Sequence, residues 1–273
     1  MLRPKSPCDA HALGFYLGMS HSATLLLLLA MAGAPAVPAE TEAGALAARR
    51  WADANRIADL TLAAKPDDLA ARTTRGFARG RLKDYTGSLA DFTAVLAARP
   101  DYALAWHGAG KTLRMMGSLP EGFAANERAL ELAPDVLDYL VERGVNLFFA
   151  KNFVPSSAAF ERVHELAPAY PGINAYRAEL FLFLKDAVNA HASAAEGVQR
   201  EPSFGIHRIN LAHAALFAGE EEKAKELYLA SADLIDMDGV TTGRMLVPMD
   251  FKRMREAGIV VSGMDEIEVL LKN

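Results

Sequence analysis

Thiol chemistry is nearly absent from this 273-residue chain, which holds a single cysteine, Cys8, close to its start. One thiol cannot form an intrachain disulfide or a thiolate metal cage, and removal of the leading segment would leave no cysteine nucleophile. The motifs of catalysis are missing too: there is no Gly-x-Ser-x-Gly elbow, no phosphate loop, no Gly-x-Gly-x-x-Gly and no His-Glu-x-x-His. His107, His164, His191, His207 and His213 are scattered, and the separation of His207 from His213 is not the i, i+4 spacing of a metal pair on one helical face. Asp236-Met237-Asp238-Gly239 begins like a calcium loop, but Thr241 stands where glycine belongs and Val247 where the closing glutamate belongs, so a turn is expected. These absences predict a protein that is not an enzyme and has no metal or cofactor. With 29 basic against 34 acidic residues, the chain also lacks the positive excess of a nucleic-acid binder.

Long apolar runs are lacking as well. Ala23 to Ala34, with leucine at every position from Leu25 to Leu29, spans 12 residues, short of the roughly 20 that a membrane-spanning helix needs. Arg3 and Lys5 precede it, and Ala34-Pro35-Ala36 and Val37-Pro38-Ala39 follow, the charged, greasy, small-residue order of a secretory leader. Residues 1–39 are therefore expected to be a signal peptide, with Met19 an alternative start and a periplasmic or secreted product of bacterial type beginning near Glu40. No cysteine follows the leucines, so lipid attachment there is excluded, and membrane contact would come only through an uncleaved leader.

What the chain does have is a period. Pro66, Pro100, Pro134, Pro168 and Pro202 recur every 34 residues. On the same count one column reads Gly76, Gly110, Gly144, Ala178, Ala212, and another reads Ser88, Gly122, Ser156, Ala190, Ala224. Two small residues per unit let two helices cross at close range, and proline ends the second helix because it cannot donate the next backbone bond. Each unit is thus a helical hairpin, with Phe92, Phe160 and Tyr228 as large partners from the second helix. Asp67 or Asp68 and Asp84 are placed to cap the helices of repeat one, Asp101 and Asp135 open repeats two and three, and Ser118 with Glu121 has the form of a capping box. The hairpins should turn at Gly117-Ser118, Lys151-Asn152, Lys185-Asp186 and Gly219. Residues 40–66 match the second half of a unit and are expected to be a capping helix. Five units then fill residues 67–234, and residues 235–273 form a terminal cap.

Trp106, Gly110, Ala129 and Pro134, with Phe92 and Phe160 in neighbouring units, resemble the tetratricopeptide repeat (TPR) pattern. Asn126 departs from it, standing where an aromatic is usual, and the position after Pro202 falls on Asp236. The resemblance implies an all-α right-handed superhelix of hairpins, an α-solenoid, whose first helices line a binding groove for a protein or peptide. Carried over position by position, the inner columns are Arg81, Met115, Phe149, Phe183, Phe217 and Gly80, Arg114, Phe148, Leu182, Leu216. His107 and Lys111 lie on the same surface, and Glu179 and His213 are isolated polar points. The groove is thus expected to be basic near its start and apolar in the last three repeats.

So large an apolar surface needs a cover. One cover is the chain's own tail, with Met237, Met245, Met249, Met254 and Met264 among its residues and Ser262 and Asp265 poised to cap a last helix. The other is an apolar segment of another protein, its acidic end toward Arg81, Lys111 and Arg114. The tail is expected to cover at least repeat five, leaving Phe148, Phe149 and Phe183 available. Arg75, Arg143 and Arg177 share a register and are expected to pack between helices and pair with acids such as Asp91 on the following helix. The function these features suggest is a non-catalytic adaptor of the bacterial envelope. Alternatives are a periplasmic protein binding lipid or a small ligand along the phenylalanines, and a non-catalytic subunit of an envelope enzyme complex.

Overall fold

A computed structural model describes residues 50–234 and 241–272. The predicted leader, residues 40–49 of the predicted capping helix and the Asp236 to Gly239 turn lie outside the described residues. Thirteen helices occur among the described residues: α1 (Trp51–Ala64), α2 (Leu69–Arg81), α3 (Tyr85–Ala98), α4 (Ala103–Met115), α5 (Leu119–Leu132), α6 (Leu137–Phe149), α7 (Phe153–Leu166), α8 (Ile173–Phe183), α9 (Ala187–Arg200), α10 (Gly205–Phe217), α11 (Glu221–Ser231), α12 (Gly243–Glu256) and α13 (Met264–Lys272). The chain divides into two compact units, one reaching Asn146 and the other running from Leu147 to the end.

The prolines act through the residue before them. The C-cap residues of α1, α3, α5, α7 and α9 are Lys65, Arg99, Ala133, Ala167 and Glu201, and all five leave the helical region, with φ between -132 and -150° and ψ between 63 and 87°. Proline's ring clashes with a helical predecessor, so each helix ends one residue early and the chain is free to begin the next. Within hairpins the corner is left-handed: Lys83, Gly117, Lys151, Lys185 and Gly219 have φ of 67, 86, 60, 61 and 77°. The following N–H reaches back to the carbonyl of Arg79, Leu113, Leu147, Phe181 or Ala215, closing a Schellman motif at every corner.

Capping follows the sequence only in part. Asp68, Asp84 and Asp186 accept from the backbone N–H of Ala71, Gly87 and Asn189 at 2.9, 2.9 and 3.0 Å. Asp101 does not cap α4, whose N-cap is Tyr102, and Ser118 stands at the N-cap of α5 without a side-chain hydrogen bond, so no capping box forms there. In repeat four Gly172 takes φ 74° at the N-cap and α8 starts only at Ile173. Its N–H donates to the Glu201 carboxylate at 3.1 Å in place of an ordinary cap.

The small columns lie where helices cross. A Cβ at Gly110 would stand 2.8 Å from the Gly122 carbonyl oxygen, too close for any side chain, and Ser88 Oγ donates to the Gly76 carbonyl at 2.7 Å. Phe92, Phe160 and Tyr228 are each fully buried. In the first unit Phe92 meets Phe77 edge-on at 5.0 Å and packs with Val95, Ala105 and Ala109. In the second, Phe160 stacks on Tyr176 at 5.1 Å. Burying a phenylalanine side chain contributes roughly 1.5–3 kcal/mol, so these rings are the main adhesive of their hairpins.

Candidate interaction faces

In the first unit the inner residues of α4 meet the start of α6. Arg114 Nε lies 2.6 Å from Glu142 Oε1 with both side chains buried, and Asn146 donates to the same carboxylate oxygen at 3.5 Å. His107 is sealed as well, stacked on Tyr139 at 4.7 Å with Nδ1 3.2 Å from Asn126 Oδ1, while Asn126 donates to the Tyr139 carbonyl at 2.9 Å. Asn126 fills its unexpected register by tying α4 to α6 through hydrogen bonds rather than ring packing. His107 and Arg114 are thus core residues, a correction to their expected place on the binding surface. Arg81, Lys111 and Met115 stay partly exposed. The Arg81 guanidinium sits 5.1 Å from the centre of the Trp51 ring, in the range of a cation–π contact.

The charges of this face are strongly coupled. Burial pushes the Lys111 ammonium down to about 7, with Glu142 opposing the change and Arg81 and Arg114 adding to it. Burial would raise the Glu142 carboxyl, yet Arg114 and Lys111 outweigh it and hold the group below the usual carboxylate range. Arg81, Lys111, Arg114, Glu142 and Asp138 thus form one coupled set of charges, with Arg81 and Lys111 its partly exposed members.

The second unit overturns the expected apolar wall. Phe148, Leu182, Phe183 and Leu216 are buried, as is His213, and only Phe149 and Phe217 of the apolar columns keep partial exposure. Phe183 packs against Phe148 at 4.7 Å and against Phe153 of α7 at 5.3 Å, so the two inner-column rings are closed by a ring from a second helix. The tail accounts for much of the rest. Phe251 of α12 lies 5.4 Å from His213 and 6.0 Å from Tyr228, and a Cβ at Gly263 would come 3.0 Å from Leu216 Cδ1. Phe148 and Phe183, expected from the sequence to stay available to a partner, belong instead to the core.

The tail is held by charge as well as by packing. Arg253 Nη2 lies 2.6 Å from Glu179 Oε1 on α8 and also contacts Asp250. Asp250 Oδ2 stands 3.1 Å from His213 Nε2 on α10, and His213 Nδ1 stands 2.6 Å from Tyr228 Oη on α11. Glu179 and His213, expected to be isolated, thus anchor α12. Lys151 Nζ donates to the Glu256 carbonyl at 3.4 Å, and Arg255 joins α12 to α13 through Asp265 and Glu268 at 2.6 and 2.7 Å. Ser262 donates to Glu221 at 2.9 Å instead of capping α13, and Asp265 is taken up by Arg255.

Sequence reasoning missed Glu142, Phe153, Asp250 and Arg253. A signal existed for Asp250, since it interrupts the apolar stripe of Leu246, Val247, Phe251 and Met254, and a lone acid on such a stripe needs a buried partner. The arginine register resolves mainly toward the preceding helix. Arg143 pairs with Glu127 at 3.2 Å and Arg177 with Glu161 at 2.7 Å, while Arg75 bridges Asp59 at 2.7 Å and Asp91 of the following helix at 2.6 Å.

No family model and no curated protein matches the chain. Solved structures do. PilW, a widely conserved type IV pilus biogenesis factor, superposes with a TM-score of 0.63 at 16% identity, over 77% of this chain and 91% of that one. A tetratricopeptide repeat protein from Parabacteroides merdae gives 0.59 at 13% identity over 85% and 96%. YrrB, a TPR protein with an unusual peptide-binding site, gives 0.51 at 16% identity over 64% and 90%.

Proposed function

The chain has a TPR-type α-solenoid fold, and from that premise we propose that it is a non-catalytic adaptor of the bacterial envelope that binds an acidic peptide or protein segment on the inner face of its first unit. Proteins of this fold act generally as protein–protein interaction scaffolds, and YrrB carries a peptide-binding site. The observation that carries the finer reading is the unequal filling of the two inner faces. In the second unit α12 engages Glu179 and His213, whereas in the first Arg81, Lys111 and Met115 remain partly exposed. A partly exposed arginine and lysine on one face suit a carboxylate-bearing segment. A lipid or small apolar ligand finds less support, because the phenylalanines proposed to line its site are largely core. Export rests on Arg3, Lys5 and the leucine run, and N-terminal sequencing of the mature protein should begin near Glu40.

The test is parallel affinity purification of the wild-type and Lys111→Glu proteins from the envelope of the source cell. A single stoichiometric protein recovered with wild type and lost with the variant supports the reading. Equal recovery with both moves the site off this face, and lipid without protein favours the ligand-binding alternative.

A further inference from the structure

Where α12 meets α8 and α10, the buried charges do not balance. The cluster contains two carboxylates, Glu179 and Asp250, and one guanidinium, Arg253, which touches both. His213 faces Asp250 from α10, and Tyr228 stands behind His213 on α11. The Glu179, Asp250 and Arg253 side chains keep only 12%, 6% and 13% of their exposure and His213 keeps 1%. Elsewhere in the tail Arg255 faces Asp265 and Glu268, Arg244 faces Asp233 and Lys252 faces Glu256, while Lys151 from the α6–α7 corner reaches the Glu256 carbonyl. Tyr228 supplies no positive charge, and burial together with Asp250 holds its hydroxyl in the neutral form.

Two carboxylates with one guanidinium leave one negative charge in a dry contact, where an uncompensated charge costs several kcal/mol. One proton cancels it. If α12 lifts away, Glu179 returns to water and has no reason to keep that proton. We propose that the seating of α12 on the inner face of the last two repeats is coupled to uptake of one proton by the Glu179–Arg253–Asp250–His213 cluster, making the tail a proton-operated cover.

The direction follows from the two carboxylates. Burial, opposed by Arg253 and reinforced by Asp250, pushes Glu179 up to about 7 from its ordinary value of 4.5. A carboxyl raised in the seated state favours seating fully below its free value, and that advantage is lost as pH rises through the seated value. Asp250 runs the other way: burial would raise it, but Arg253 and His213 outweigh burial and hold it below 3.8, so its contribution is lost only in strong acid. Between roughly pH 4.5 and 7 the cover therefore loosens as protons are removed, and in mild alkali it stays at its weaker level. Loosening would uncover His213, Tyr228 and Glu179, the aromatic and polar points that Phe251, Asp250 and Arg253 of α12 satisfy.

Hydrogen exchange of the full chain, read by mass spectrometry from pH 5 to 8.5 with intrinsic exchange rates divided out, tests this without any partner. A failure of the adaptor reading would leave the result untouched. The opening constant of peptides within residues 243–256 is expected to rise by up to about tenfold per pH unit across the titration of one proton, while peptides within residues 187–200 stay level. Glu179→Gln and, independently, Asp250→Asn each remove the surplus charge and should flatten the response of residues 243–256. If one variant does not fold, the other decides. A flat wild-type profile, or a wild-type slope retained in the folded variants, overturns the proposal.

Discussion

Replacing Arg114 by methionine keeps most of its stem volume but strips the guanidinium from Glu142. The wild-type pair is 2.6 Å apart with side chains 1% and 2% exposed, so the abandoned carboxylate has no route to water. Breaking a buried ion pair by removing one partner costs about 3–5 kcal/mol, chiefly as the penalty of the orphaned charge. Lys111 moderates this loss, because its ammonium already attracts Glu142 and becomes easier to protonate once Arg114 is gone. The converse change, Glu142→Gln, takes the buried carboxylate from Arg114; Lys111 can answer by shedding its proton, but the guanidinium cannot, so the larger cost stays with Arg114. Arg114→Met should therefore cost about 3 kcal/mol and Glu142→Gln about 4–5 kcal/mol, the two ends of the same range. The double variant Arg114→Met with Glu142→Leu should recover most of either loss, since an apolar pair of similar volume often matches a buried ion pair. Urea unfolding at pH 7, followed by circular dichroism, gives the three values, with midpoints compared at constant slope. Equal losses in the two single variants, or a double variant no better than Arg114→Met, would refute this charge accounting.

Two further outcomes follow from the first unit. Lys111 is held near 7 against its ordinary 10.5, so the folded state carries fewer protons than the unfolded one between those values and stability should rise with pH across that window; Lys111→Met should remove that rise, which can reach about 1.4 kcal/mol per pH unit, read from urea midpoints at pH 7 and 9.5. Gly110→Val places carbon against the Gly122 carbonyl at the closest helix crossing, and overpacking of this kind costs about 1–3 kcal/mol, visible as a lowered melting temperature; Ala124→Ser on the exposed side of α5 should change stability by no more than about 0.5 kcal/mol.

The hairpin array was legible because its determinants are local and recur. Proline acts on the residue before it, the left-handed corner lies in a fixed place, and the small columns mark crossings whatever lies around them. Which inner residues would face a partner was less legible, because that depends on pairs far apart in sequence. Arg114 and Phe148 sit in the columns that the TPR resemblance assigns to the groove. Glu142, 28 residues on from Arg114, draws one inward, and Phe153 and Phe183 close over the other. The tail was recognised as a cover from its apolar content, but the polar contacts that fix its seat were not. Asp250 and His213 are 37 residues apart, and no repeat register relates them.

The left-handed corners carry a consequence of their own. Glycine occupies two of the five, and lysine occupies the same geometry at residues 83, 151 and 185. A side chain in that region costs roughly 1–2 kcal/mol, and nothing local to lysine favours it. The paired helices impose the bend, and the residue at the apex merely endures it. Heat tolerance in this chain therefore has room to rise at these surface points, where glycine would ease the backbone without touching a buried contact, though at residue 151 it would also give up the lysine's bond to the Glu256 carbonyl.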